Sequence, residues 1–213
     1  MKQLIFDCDG VLVDTEIVAA KVMVELLQNY GLDLDVKGYI ERFTGKTFTG
    51  ILDAIDMQMD DNIELLAKQT EQKIYANLRV IAGMPELLQK QTLPVAIVSN
   101  SATWQVKKAI KFLNLEEVIK ENFFSSEMVS RPKPFPDIYL KAAETNHIDP
   151  ADCLVIEDSV SGATAALDAG MNVIGFCGAS HIQPGHDLKL LELGVLKTVK
   201  NAAELSLELN KLT

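Results

Sequence analysis

Leu4-Ile5-Phe6-Asp7-Cys8-Asp9-Gly10-Val11 decides the architecture: a short apolar run is delivered into a turn built from two aspartates and a glycine. An apolar run of strand length without polar alternation predicts a strand buried on both faces, as in a parallel sheet covered by helices. Three later runs repeat the pattern. Pro94-Val95-Ala96-Ile97-Val98 ends in Ser99-Asn100, Cys153-Leu154-Val155-Ile156 in Glu157-Asp158, and Asn172-Val173-Ile174-Gly175-Phe176 in Cys177-Gly178. Helical patterns separate them. Residues 102–113 place Val106, Ala109, Ile110 and Leu113 on one face, 136–145 open with a proline, 159–169 precede Gly170 as a C-cap, and 201–211 predict a closing helix. Strands alternating with helices predict an α/β fold with a doubly wound parallel sheet.

One stretch breaks the alternation. Residues 16–78 show helical periodicity only, as in Val18, Val22, Leu26, Leu27 and Tyr30, and later Ile63, Leu66, Thr70 and Ile74. Some 60 residues are far more than a crossover needs. The expected organisation is a core of 1–15 with 80–213 and an inserted helical cap of 16–79, with hinges near Thr15 and within 79–83.

Composition narrows the function classes. The 213 residues are 48% hydrophobic and 23% charged, which is ordinary for a globular chain. Twenty Lys and Arg against 30 Asp and Glu give a net charge of -10 with no basic run, so nucleic acid and anionic membrane are not expected partners. Cys8, Cys153 and Cys177 form no CxxC pair, which predicts free thiols and a cytoplasmic protein. The amino terminus lacks the apolar core of a signal peptide, and no stretch approaches the ~20 apolar residues of a membrane span. No feature calls for an obligate protein partner.

Open α/β sheets bind ligands beyond the carboxyl ends of their strands. That rule gathers Asp7 and Asp9, Ser99 and Asn100, and Glu157, Asp158 and Ser159, with Lys133 in the loop Arg131-Pro132-Lys133-Pro134-Phe135-Pro136. Each has an ordinary structural use alone: Asp9-Gly10 as a turn, Glu157-Asp158-Ser159 as a helix cap, Lys133 as a solvated loop lysine. Their conjunction at successive strand ends points to chemistry. Four converging carboxylates repel unless a cation lies among them, and an all-oxygen set suits Mg²⁺.

Asp7-Cys8-Asp9-Gly10-Val11-Leu12-Val13-Asp14-Thr15, Ser99-Asn100-Ser101, Lys133-Pro134-Phe135-Pro136-Asp137 and Glu157-Asp158-Ser159-Val160-Ser161-Gly162 resemble the four motifs of the haloacid dehalogenase-like hydrolase superfamily. The resemblance spans essentially the whole chain, and the helical insertion is similar to the cap of the branch containing beta-phosphoglucomutase and many small phosphatases. It implies that Asp7 is a nucleophile forming an aspartyl-phosphate and that Asp9 is the general acid and base. It also implies Mg²⁺ held by the Asp7 carboxylate, the Asp9 backbone carbonyl and Asp158, with Glu157 orienting the metal's water. Ser99, the amide of Asn100 and Lys133 would donate to the phosphoryl oxygens.

Within that branch, Asp9 speaks against dehalogenation and phosphonoacetaldehyde hydrolysis. Ala19 stands where the mutases carry a histidine, and Phe48 where they carry a phosphate-clamping arginine, so hydrolysis is preferred and a sugar-phosphate mutase is the alternative. The loop Arg42-Phe43-Thr44-Gly45-Lys46-Thr47 is expected to contribute specificity through Arg42, Gly45 and Lys46. Its resemblance to 6-phosphogluconate phosphatase-like members points to a small phosphorylated metabolite, a sugar phosphate or sugar-acid phosphate such as 6-phosphogluconate. A phosphoacceptor signalling domain is the non-enzyme alternative, disfavoured by the helical insertion. His181 and His186 flank a Pro184-Gly185 turn and are expected on a surface loop, not at a metal. Cys8 is expected to pack inside, with its backbone N–H toward phosphate, and Trp104 to pack in the core or between domains.

Overall fold

The computed structural model describes residues 1–43, 48–55 and 63–212. The chain divides into two compact units, Thr15–Arg79 and the remainder, Met1–Asp14 with Val80–Thr213. The first consists of α1 (Thr15–Asn29), α2 (Val36–Phe43), α3 (Phe48–Asp53) and α4 (Ile63–Ala76), with no strand among its described residues. It has its own apolar core. Ala20, Met23, Val24 and Leu27 of α1 meet Tyr39 and Phe43 of α2 and Ile51 and Leu52 of α3, and Phe48 packs against them.

The second unit is built on one sheet of β1 (Gln3–Phe6), β2 (Val95–Val98), β3 (Phe123–Phe124), β4 (Cys153–Glu157), β5 (Asn172–Phe176) and β6 (Lys197–Val199), ordered β3-β2-β1-β4-β5-β6. All five pairings are parallel. The expected doubly wound α/β fold is therefore the observed one. Every residue of β1, β2 and β4 is buried, which is why their hydrophobicity does not alternate. Strands β3 and β6, two and three residues long, escape prediction because so few residues carry no period.

Helices α5 (Met84–Gln89), α6 (Thr103–Phe112), α7 (Glu116–Ile119), α8 (Asp137–Thr145), α9 (Val160–Asp168), α10 (His186–Leu193) and α11 (Ala202–Leu212) complete this unit. On one face of the sheet, Ile5, Ala96, Val98, Val155 and Val173 pack with Ile138, Tyr139 and Ala142 of α8, Ala163 and Ala166 of α9, and Leu190 of α10. Ser159 caps α9 by accepting from the Gly162 N–H at 3.0 Å, an interaction worth about 1 kcal/mol. Trp104 is 41% exposed and so is not a core residue. Helix α6 buries Val106, Ala109 and Ile110, and a residue two positions before Val106 projects from the opposite side.

The chain runs outward from β1 to β2 and β3, then returns to lay β4 along the other side of β1. That reversal makes the crevice beyond β1 and β4 the place where a ligand can enter between diverging loops. Register fixes what borders it: Phe6 pairs with both Ile97 and Ile156, so the residues after all three strands begin at one level.

Candidate active site

The loop after β1 is wound tightly. Leu12 and Val13 donate to the Cys8 carbonyl at 2.9 and 3.1 Å, and Gly10 donates to the Val13 carbonyl at 2.7 Å. Gly10 has φ +83°, and a Cβ there would lie 1.9 Å from Asp158 Oδ2, so both conformation and space demand glycine. Asp7 continues β1 by donating its N–H to the Ile156 carbonyl at 2.9 Å, which sets it beside Glu157 and Asp158. Asp7, Glu157 and Asp158 are all buried and present carboxylate oxygens within 4.8 Å of one another.

Lys133 is drawn into this cluster. Its side chain is only 3% exposed, and Nζ donates to Asp7 Oδ1 at 2.6 Å, Glu157 Oε1 at 2.8 Å and the Val98 carbonyl at 3.1 Å. The lysine is held from both sides. Asn100 makes a reciprocal pair with its backbone, Nδ2 to the Lys133 carbonyl at 3.0 Å and the Lys133 N–H to Oδ1 at 2.9 Å. The Asn100 side chain thus shapes the lysine loop. Arg131 clamps the ends of that loop with a two-pronged bond to Asp137, at 3.0 and 2.9 Å, and lies 4.8 Å over the Phe135 ring.

Asp9 is oriented from β2. Its Oδ2 accepts from Ser99 Oγ at 3.1 Å and Ser101 Oγ at 2.7 Å, and Ser99 Oγ in turn accepts from the Ser101 N–H at 3.0 Å. Glu157 is saturated: Oε1 takes Lys133 and the Tyr139 hydroxyl at 3.4 Å, and Oε2 takes the Ser159 N–H and hydroxyl at 2.8 and 3.0 Å. Gly162 makes room for it, since a Cβ there would fall 1.6 Å from Oε1.

Charge balance follows from this packing. Burial, then the charges of Glu157, Asp158 and Asp9, push Asp7 well above the ordinary carboxylate range against the pull of Lys133. Asp158 is likewise raised, by burial first and by Glu157 next. Burial opposes the charge on Lys133, yet Asp7 and Glu157 outweigh it and hold the ammonium well above its ordinary value. A divalent cation beside Asp7 and Asp158 would favour their ionised forms against the burial that raises them. Because Glu157 is taken up by its own donors, Asp7 and Asp158 are the carboxylates that fit a hard divalent cation, and an oxygen-only set of this kind suits Mg²⁺.

The structure therefore brings together Asp7, Asp9, Ser99, Asn100, Lys133, Glu157 and Asp158. Arg42 lies exposed on the last turn of α2 with its guanidinium 5.0 Å over the Phe43 ring. Gly45 and Lys46 lie outside the described residues. Ser101, Arg131 and Tyr139 contribute contacts that sequence reasoning did not assign. The first two stood inside or beside a quoted motif, whereas Tyr139 reads as an ordinary core position of α8. The loop carrying the histidines is exposed at Gln183, Pro184 and Gly185, but the two rings are only partly exposed and turn toward one residue: His181 Nε2 lies 3.3 Å from Asp158 Oδ2, and His186 Nε2 meets the Asp158 carbonyl.

A family model described as haloacid dehalogenase-like hydrolase matches residues 4–176. The chain is 30% identical over 193 residues to 6-phosphogluconate phosphatase of Escherichia coli K12, covering 86% of each. Among solved structures it resembles a haloacid dehalogenase-like protein of Agrobacterium tumefaciens, at 32% identity and a TM-score of 0.87, covering 100% of this chain and 99% of that one. It also resembles a hydrolase of the same family from Deinococcus radiodurans, solved with bound phosphate and sodium, at 30% identity and a TM-score of 0.86, with 99% and 96% covered. With the motifs gathered at one sheet edge and a family match across most of its length, this chain belongs to the haloacid dehalogenase-like hydrolases.

Proposed function

We propose that the protein is a Mg²⁺-dependent phosphatase that hydrolyses a phosphorylated sugar or sugar acid, such as 6-phosphogluconate, through an aspartyl-phosphate on Asp7. The observation that carries this reading is the Lys133 ammonium joining Asp7 to Glu157 while Asp9 is held by two serine hydroxyls, all at the reversal point of the sheet. Lys133 holds Asp7 Oδ1, which directs Oδ2 to the phosphorus. As the P–O bond to Asp7 forms, the bond to the sugar oxygen breaks, and Asp9 gives that oxygen a proton. Asp9, now a carboxylate, takes a proton from water as the water oxygen attacks the same phosphorus, and the Asp7 carboxylate is released with inorganic phosphate.

The Asn100 backbone N–H, the Ser99 hydroxyl once it exchanges Asp9 for substrate, and the positive charge of Lys133 would stabilise the charge that spreads over the phosphoryl oxygens, the main demand of phosphoryl transfer. The carboxylates of Asp7 and Asp158 and the backbone carbonyl of Asp9 would hold Mg²⁺, which when bound would further neutralise that charge. Ser99 and Lys133 are buried, which keeps bulk water from competing for them.

The sugar-acid assignment is supported by the 6-phosphogluconate phosphatase relative and by the cationic Arg42 and Lys46 flanking Gly45, which we assign to recognition of a second anionic or hydroxylated end. The unit Thr15–Arg79 is proposed as a cap that moves on hinges near Thr15 and 79–83. The odd number of thiols supports a cytoplasmic setting.

Phosphate release is to be measured with Mg²⁺ across sugar phosphates, sugar-acid phosphates, nucleotides and aryl phosphates, with Asp7→Asn as control. Metal-dependent release that prefers sugar-acid phosphates and is lost in Asp7→Asn is the expected result. Equal rates on all classes would remove the substrate assignment, and isomerisation of a sugar 1-phosphate without release would replace hydrolysis by mutase chemistry.

A further inference from the structure

The segment 179–186, running from beyond β5 into the first residue of α10, folds back onto the site through two successive turns. Ile182 donates to the Ala179 carbonyl at 3.3 Å and His186 to the Gln183 carbonyl at 3.1 Å, with Gly185 at φ +84° supplying the sharp bend before α10. These turns carry the two histidines to the two ends of one residue. His181 Nε2 lies 3.3 Å from the Asp158 carboxylate, and His186 Nε2 lies 2.5 Å from the Asp158 carbonyl oxygen. One residue before His181, Ser180 Oγ donates to Asp14 Oδ1 at 2.9 Å and ties the same segment to the loop after β1.

A carbonyl oxygen only accepts, so His186 Nε2 carries the hydrogen, while His181 Nε2 faces the Asp158 carboxylate at 3.3 Å. Asp158 is also bounded by Gly10, whose missing side chain leaves just enough room for Oδ2. Its backbone and carboxylate are thus fixed independently, whereas a free aspartate would lose rotamer freedom on taking a cation. Imidazoles that orient a ligating carboxylate typically change metal affinity or activity 10- to 100-fold when removed.

We propose that His181 and His186 are positioning residues that lock Asp158 and thereby set the affinity of the site for its divalent cation. This rests on Asp158 being a metal ligand, as in the proposed function. The test is calorimetric titration of the metal-stripped full-length protein with MgCl₂ alone, comparing wild type with His181→Ala, His186→Ala and His186→Gln. His147→Ala is the control, an exposed histidine and the third of the three in the chain. The expected result is a dissociation constant weakened about 10- to 100-fold in both alanine variants at positions 181 and 186. Partial recovery is expected in His186→Gln, whose amide can still donate, and none of this change in His147→Ala.

Dissociation constants within twofold of wild type for both alanine variants, or no Mg²⁺ binding by wild type, would overturn the proposal. If the alanine variants do not fold, long-range ¹H–¹⁵N spectra of the wild-type imidazoles decide. Nε2–H tautomers at 181 and 186, with MgCl₂ shifting His181 but not His147, support it. An Nδ1–H tautomer at either position, or no shift at His181, refutes it. Because no substrate is present, weakened Mg²⁺ binding in a protein that releases no phosphate would defeat the phosphatase reading and leave this one standing.

Discussion

The ammonium of Lys133 sits 2.6 Å from Asp7 Oδ1 and 2.8 Å from Glu157 Oε1 in a site closed to solvent. Its mutual attraction with these groups offsets a desolvation cost that no single partner would cover. Removing the ammonium while leaving its neighbours exposes both sides of that balance. Lys133→Met is expected to lower stability by about 3–5 kcal/mol, read by urea unfolding in EDTA, because two buried carboxylates lose their counter-charge. It should also lower kcat on the best substrate by about 10²- to 10³-fold, the scale of losing one preorganised donor to a transition-state charge. Unchanged stability would mean that the carboxylates are neutral when buried. Gly162→Ala tests the same cluster from behind, since its Cβ would fall 1.6 Å from Glu157 Oε1. Displacing Glu157 should release Lys133 and cost at least about 10-fold in kcat with α9 still helical by circular dichroism; full activity would show that Glu157 has no part in holding the lysine.

Elements set which groups can react. The loop after β1 buries Cys8 between Asp7 and Asp9, and burial first, then those two charges, hold its thiol well above its ordinary value. Cys177, at the end of β5, is partly exposed, and burial with the charges of Asp187 and Asp158 pushes it up to about 11. The thiolate is the reactive form, so its fraction at Cys177 grows tenfold per pH unit below that value. Iodoacetamide labelling followed by mass spectrometry should therefore modify Cys177 slowly at pH 7.5 and about 10-fold faster at pH 8.5, with Cys8 unmodified while the protein is folded. Rapid labelling of Cys8 would contradict its burial. The same elements explain what was legible beforehand. Strands β1, β2, β4 and β5 announce themselves because each is an unbroken apolar run, and α6, α8 and α9 because their apolar residues recur at helical spacing. Segment 179–186 carries no such period, and its Pro184-Gly185 turn is the usual mark of a solvent loop. Only its hydrogen bonds to Asp14 and Asp158 turn it inward.

For the molecule as a whole, the insertion point is built to keep its two ends together. Val13 and Val80 pair as antiparallel neighbours, and the Ile81 N–H donates to the Leu12 carbonyl at 3.0 Å. The unit Thr15–Arg79 has a separate apolar core, so its removal takes no residue from the cluster that backs the sheet. Joining Asp14 to Val80 through a short Gly-Ser linker should give a protein that unfolds in one cooperative transition and keeps far-ultraviolet dichroism of a mixed α/β chain. It should retain Asp7-dependent hydrolysis of an aryl phosphate while losing discrimination among sugar phosphates. Failure to fold would show that the helical unit is needed for the stability of the sheet, and retained discrimination would remove Arg42, Gly45 and Lys46 from recognition.

The parallel α/β architecture and the set of polar residues that converge are legible in the sequence, because buried strands and their terminal loops are local features of composition and order. Asp7, Asp9, Ser99, Lys133, Glu157 and Asp158 stand out in the sequence because each directly follows an apolar run or lies in a marked motif. How those groups share hydrogen bonds emerges only in the folded chain. The carboxylate of Glu157 belongs to Lys133, Tyr139 and Ser159, the Asn100 side chain belongs to the lysine loop, and the Asp158 carbonyl belongs to His186 while its carboxylate faces His181. Those pairings depend on distances across the crevice between β1, β2, β4 and β5. Such distances are set by sheet register and loop closure, and no local pattern of residues encodes them.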